Sequence, residues 1–395
     1  MPRPRTAGQS PARTAEPRVG PGAYDAPVLD ATTAPSRTLP TLRGAHLVGS
    51  VNLPTARETF RAVGEHLGDH VRRVPDGEVG ERFHWILFQG ERFSAVDGLA
   101  RVPVDPVVVA GFDVRPHVLD GSVDAADLRF GPLGYADAAL ASYADFVALR
   151  EEGALPAGAR FQVCLPSPLA PVTAFVAPQD RAAVHPAYEA ALVRELEAIT
   201  AAIPAEDLAV QVDLATEFAF VEGANLGGGA ARAWFDAEAG GDEDVVAGCA
   251  RRAAAFARHV PAGAELGFHL CYGDVAEKHF VEPTDTANLV HVANALVEHL
   301  DRPVQWVHLP VPIARDDVAY VAPLADLRLD PATELYLGLL HHEDGVEGAR
   351  RRLAAAASVL GDRPVGVGTE CGFGRGPSER TTGLLDLHAA VLAAV

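Results

Sequence analysis

From Leu42 onward, short apolar runs alternate with longer stretches in which Ala, Leu and Val recur at three- and four-residue spacing. The first texture is that of parallel strands buried on both faces, and the second that of helices laying one face on a core. Eight runs read as strands: 44–49 (GAHLVG), 70–75 (HVRRVP), 159–165 (ARFQVCL), 208–214 (LAVQVDL), 264–271 (AELGFHLC), 304–309 (VQWVHL), 334–340 (ELYLGLL) and 364–369 (PVGVGT). Helices are expected over 54–67, 186–202, 244–259, 286–300, 344–360 and 379–394. Eight strands separated by helices close naturally into a barrel, so the expected fold class is α/β, a single (β/α)8 TIM barrel over 41–395.

Three segments break this rhythm. Residues 1–40 are rich in Pro, Arg, Ala, Gly and Thr without apolar periodicity, which predicts a disordered tail, since such a segment buries too little surface to offset its ordering entropy. The connection over 76–158 carries Pro and Gly punctuation and a helical piece near 136–150, and is expected to form an insertion or lid over the barrel mouth. The glycine-rich 223–229 stretch (GANLGGG) reads as a second mobile loop, not as a phosphate cradle, because no G-x-G-x-x-G opens a helix after a strand there.

Charge and cysteine content narrow the function classes. With 33 Lys plus Arg against 53 acids, a net charge of −20 argues against nucleic acid, whose phosphates need clustered cations. The 4 cysteines are too few for a disulfide framework in 395 residues and fit a reducing, cytoplasmic setting. Neither a long apolar run nor a signal-peptide pattern occurs, so no membrane partner is expected; oligomeric state is not legible.

Barrel enzymes carry their chemistry at the C-terminal ends of the strands. Those ends here read Gly49-Ser50, Asp76-Gly77-Glu78, Asp213 with Glu217 beyond it, His269-Leu270-Cys271, His308, His341-His342 and Glu370-Cys371-Gly372. Alternate strand residues point the same way, so H-x-C sets an imidazole and a thiol side by side at the mouth. Cys371 lies at the same level on a strand three further round. One nitrogen and two sulfurs suit Zn²⁺, with a fourth position left for an exchangeable ligand. Cys164 and Cys249 lie among apolar residues and are expected in the core.

On these residues the chain from about Leu42 to its end resembles the C-terminal catalytic barrel of cobalamin-independent methionine synthase, within the superfamily that includes uroporphyrinogen decarboxylase. The family's zinc motif, H-x-C followed far downstream by a Cys in a D-C-G-x turn, is matched by His269-Leu270-Cys271 and Glu370-Cys371-Gly372. Its I-G-S segment is matched by Val48-Gly49-Ser50, and its H-G-E-x-x-R-x-D segment by Asp76-Gly77-Glu78 with Glu81-Arg82 following. Its Q-I-D-E-P strand is matched in part by Gln211-Val212-Asp213. The resemblance implies that Ser50, Glu78 and Asp213 hold the amino-acid part of a small thiol such as homocysteine. It also implies a strand-seven histidine that protonates the departing group, for which His341 is preferred over His342, with Asp213 as a further catalytic candidate.

Two departures matter. The family adds a glutamate to the zinc shell from strand six, where His308 stands here, either as a replacement ligand or as part of the cavity wall. The usual synthases also carry a second barrel, for which this chain has no room, so the donor is open. The expectation is zinc-dependent alkyl transfer, foremost of methyl, to the sulfur of homocysteine or a related thiol. The rivals are a decarboxylase of the uroporphyrinogen type, which needs a cleft of cations, and a non-catalytic metal- or ligand-binding barrel.

Overall fold

The computed structural model describes residues 39–225, 231–236, 244–273 and 278–394, apart from the Arg375 side chain. The tail expected over 1–40 lies outside these except for Leu39 and Pro40, as does most of the 223–229 stretch. The described strands of the main sheet are β1 (Leu42–Ala45), β2 (Arg73–Pro75), β3 (Arg160–Pro166), β4 (Leu208–Leu214), β5 (Glu265–Leu270), β6 (Trp306–Pro310), β7 (Glu334–Gly338) and β8 (Val365–Gly368). All their pairings are parallel, in the spatial order β1-β8-β7-β6-β5-β4-β3-β2. The sheet curls in TIM-barrel fashion, and its two edges meet at isolated parallel bridges, Ala45 to Val71 and Ser50 to Gly77.

Helices Ala56–Leu67, Arg181–Ala202, Val245–Ala257, Ala287–Glu298, Gly345–Leu360 and Thr381–Ala393 follow strands as the periodicity predicts. One starts early: Pro186 reads as a helix opener, yet the helix begins at Arg181 and holds Pro186 inside it. The first strand is offset, ending at Ala45, so that His46 to Gly49 continue as buried chain beyond the ladder.

Two separate layers of burial follow from the curl. The large apolar core lies between strands and helices, while Ala209, Trp306 and Tyr336 form a small cluster of their own. Beside that cluster Arg73, 3% exposed, bonds Glu265 at 2.5 Å and Glu334 at 2.7 Å, and its guanidinium lies 4.2 Å from the Trp306 ring centre. A buried cation is tolerable only when so paired. Gly267 makes room for the indole, because a Cβ there would come within 2.0 Å of Trp306.

The 76–158 connection contains more than the helix expected near 136–150, which is seen at Tyr135–Glu151. It adds a helix at Gln89–Ser94, the pair Leu99–Arg101 with His117–Leu119, and the tight hairpin Val108–Val109 with Phe112–Asp113. Strands this short, set among Pro103, Pro106 and Pro116, show no period in the sequence. Among the described residues no helix is long and apolar enough to cross a membrane.

Glu217, beyond β4, is fully buried; Ser167 donates to one of its oxygens and the other has no partner. Burial pushes its carboxyl up from 4.5 to about 7, against the opposing hydrogen bond from Ser167. The folded state therefore binds this proton more tightly than the unfolded chain does. The associated stability is fully present below pH 4.5 and is lost as pH rises through about 7, amounting to about 3 kcal/mol. Urea unfolding at pH 4.5 and at pH 7.5 should show the parent losing this much relative to Glu217→Gln. Parallel pH profiles for the two proteins would mean that Glu217 is not buried as described.

Candidate metal centre

His269 and Cys271 lie at the end of β5, where the Cys271 amide donates to Leu214 at 2.9 Å and so carries the ladder one residue past the strand. Cys371 sits in the turn that follows β8. His269 is 2% and Cys271 5% exposed, and one ligand atom from each of the three residues lies within 4.8 Å of the others. The two sulfurs are 3.9 Å apart. That is far beyond a disulfide bond of about 2.05 Å but close to the edge, about 3.8 Å, of a tetrahedron with metal–sulfur bonds of about 2.3 Å. His269 Nε2 is buried and has no hydrogen-bond partner, whereas Nδ1 lies 2.9 Å from His308 Nδ1. Two soft sulfurs beside an imidazole whose Nε2 is buried and unpartnered fit Zn²⁺ or a similar d10 ion.

The group of three does not include His308, which packs against His269 instead. The register of β5 and β6 places His308 directly opposite His269, so the rings lie side by side with centres 4.9 Å apart. Its Nδ1 is spent on His269 Nδ1, and the residue is fully buried.

The three residues face a cavity of about 310 Å³ that Ser50, Glu78 and Asp213 also line. Its walls include Trp85, Leu87, Val109 and Phe280. No Lys or Arg lines it among the described residues. Arg82, close in sequence, bonds Asp76 at 2.5 Å and 3.2 Å, and Arg72 bonds Glu334 at 2.5 Å. The Asp76 carboxylate in turn accepts the Glu78 amide at 3.0 Å. Burial raises Asp76, but Arg82 outweighs it and holds the carboxyl below its usual range.

Asp213 behaves in the opposite way. Burial pushes its carboxyl well above the usual range, the negative Glu78 nearby adds to the effect, and the hydrogen bond from Gln211 at 2.9 Å opposes it. Ser50 Oγ accepts the Gly374 amide at 3.1 Å. Glu78, Trp85 and Ala110 adopt left-handed φ of 49°, 55° and 51°; they are the three non-glycine residues that do so among those described, and all three line this cavity. Such conformations cost about 1–3 kcal/mol each and gather at functional sites.

A second cavity of about 240 Å³ shares Cys371 and Gly372 with the first. His341, His342, Glu370, His279, Lys278 and Arg380 line it. His341 Nε2 donates to Val311 at 2.9 Å, and its Nδ1 lies 3.8 Å from Glu370. Burial lowers its proton affinity, with Glu370 opposing. His342 is more exposed and lies 3.0 Å from Glu343. His279, which the sequence did not single out, lies 3.3 Å from Glu370 and 3.2 Å from Glu282. Burial opposes its protonation, but the two carboxylates raise it to about 9. No spacing rule reaches His279, because the sequence around it carries no apolar periodicity. Cys164 and Cys249 are buried, and the Cys164 thiol donates to the Val48 carbonyl at 3.1 Å.

No family model matches the chain, and no curated protein matches its sequence. Solved structures with the same fold include a B12-independent methionine synthase from Shewanella sp. W3-18-1 in complex with selenomethionine. It is 15% identical, with TM-score 0.57, over 90% of this chain and 97% of that one. A putative vitamin-B12 independent methionine synthase from Listeria monocytogenes is 13% identical, with TM-score 0.54, over 90% of this chain and 98% of its own. At these identities the likeness is one of fold.

If the three residues form a metal centre, purified protein dialysed against trace zinc should carry about one zinc per chain, and Cys271→Ser and Cys371→Ser should each lose most of it. Elemental analysis of the folded variants checks this. Full retention in both would mean the metal sits elsewhere.

Proposed function

We propose that this chain transfers an alkyl group, foremost methyl, to the sulfur of homocysteine or a related amino-acid thiol, with Zn²⁺ held by His269 Nε2, Cys271 and Cys371. The observation that carries the reading is the placement of a ring nitrogen of His269 and the sulfurs of Cys271 and Cys371 within 4.8 Å of one another on the wall of a cavity whose acids are Glu78 and Asp213. Bound zinc would displace the proton of a substrate thiol and leave a nucleophilic thiolate at neutral pH. The fold neighbours support the same direction, since the Shewanella structure holds selenomethionine, an amino acid with a methylated chalcogen.

The protein residues would set acceptor identity by charge. An ammonium group seated between Glu78 and Asp213 relieves the repulsion that drives up the proton affinity of Asp213. Ser50 supplies a hydroxyl for the acceptor carboxylate. A cavity without Lys or Arg among its described lining disfavours sulfonate thiols, and it disfavours the decarboxylase alternative, which needs cations for several carboxylates. The 76–158 connection serves as a cover, contributing Trp85, Leu87, Val109 and Ala110 to the wall and so excluding water from the thiolate.

The alkyl donor would enter from the second cavity, on the other side of Cys371. His341 remains the proposed acid for the departing group, acting with Glu370. His279, which shares that carboxylate, keeps a proton available at neutral pH.

Glu78→Gln should weaken binding of homocysteine about 10- to 100-fold, the worth of a charge-assisted hydrogen bond, and leave 4-mercaptobutyrate, which lacks the ammonium, nearly unchanged. Titrating both thiols into cobalt-substituted protein and following the sulfur-to-metal charge-transfer bands checks this. Equal weakening of both would show Glu78 to be structural, and the absence of any thiol-dependent band would sink the transferase reading.

A further inference from the structure

The two Nδ1 atoms of His269 and His308 lie 2.9 Å apart, a hydrogen-bond distance that accommodates one proton between them. If His308 held it, His269 Nδ1 would be the acceptor and its proton would sit on Nε2, with no lone pair there for a metal. If His269 holds it, Nε2 is bare. We propose that His308 is a positioning residue that fixes His269 in this second tautomer, accepting the Nδ1 proton so that the Nε2 lone pair is permanently presented beside Cys271 and Cys371. The assignment rests on the metal centre proposed above and gives His308 a role outside the ligand set.

The surroundings of His308 fix its ring in place beside His269. Its ring is fully buried, so water does not compete as acceptor. Gly338 on β7 and Gly368 on β8 leave the space it occupies: a Cβ at Gly338 would lie 2.8 Å from its Nε2 and Cε1, and one at Gly368 would lie 3.1 Å from its Nε2. The ring of His46 closes the other side, with centres 5.4 Å apart. Parallel pairing of β6 with β5 fixes the approach to His269 residue against residue. Without His308, the His269 Nδ1–H becomes a buried donor lacking an acceptor, and the ring loses the contact that orients it.

The test is a zinc competition titration against a chelator with the full chain and two variants. His308→Leu removes the acceptor and should bind zinc about 10- to 100-fold more weakly. His308→Asn sets an amide oxygen near the Nδ1 position and should recover most of the loss, which a merely space-filling role would not produce. Nitrogen-15 histidine spectra of the zinc-loaded parent give a reading independent of variant folding: His269 should carry its proton on Nδ1. Undiminished affinity in His308→Leu, an Asn variant as weak as the Leu variant, or a proton on Nε2 would each overturn the assignment alone. A parent chain that takes up no zinc would instead remove the metal centre and this role with it.

Discussion

Three electron-rich atoms, an imidazole nitrogen and two sulfurs, are held within 4.8 Å of one another at the mouth of this sheet. The backbone does the holding. Parallel ladders from β4 to β6 fix the depth of His269 and Cys271, and those from β6 to β8 fix where the chain turns at Cys371. A barrel can impose this because strands distant in sequence converge on one end, with spacing set by hydrogen bonds and not by the side chains themselves. Below the mouth, the interior must be filled without disturbing that spacing. Trp306 lying across Gly267, and Arg73 tied to Glu265 and Glu334, fill it.

Around the three ligands the structure sorts charge by position. Arg82, close to the first cavity, bonds Asp76 and is also held charged by the nearby Glu78. Burial of Asp213, with the negative Glu78 nearby adding to it, gives a carboxyl that resists ionisation. Left-handed backbone at Glu78, Trp85 and Ala110 adds conformational cost to the same walls. Such costs persist only where surrounding packing enforces them. On the far side of Cys371 the balance differs, with Glu370 serving both His279 and His341. One cysteine thus separates a cavity of acids and apolar walls from one of histidines and mixed charge.

The eight strands, the helices after them and the pairing of His269 with Cys271 were readable from the chain alone. Strand runs such as 208–214 and the three- and four-residue helical spacing reflect burial on a local repeat, which sequence records directly. That Cys371 shares their level followed from counting strands. Other features depended on distance through space. The short hairpin at Val108–Asp113 leaves no periodic trace, and its part in the cavity wall became visible only in three dimensions. The setting of His308 behind His269 needed the β5–β6 register, because a slip of one residue would have turned its ring to the other face. The sharing of Glu370 between His279 and His341, and the commitment of Arg82 to Asp76 and not to Glu78 alone, depended on loop paths. Sequence by itself determined which residues could meet at the mouth, because strand order and alternation are local properties. Tertiary structure decided which atoms do meet and in what protonation state, because distance, burial and the choice among competing partners are settled only when all strands are in place.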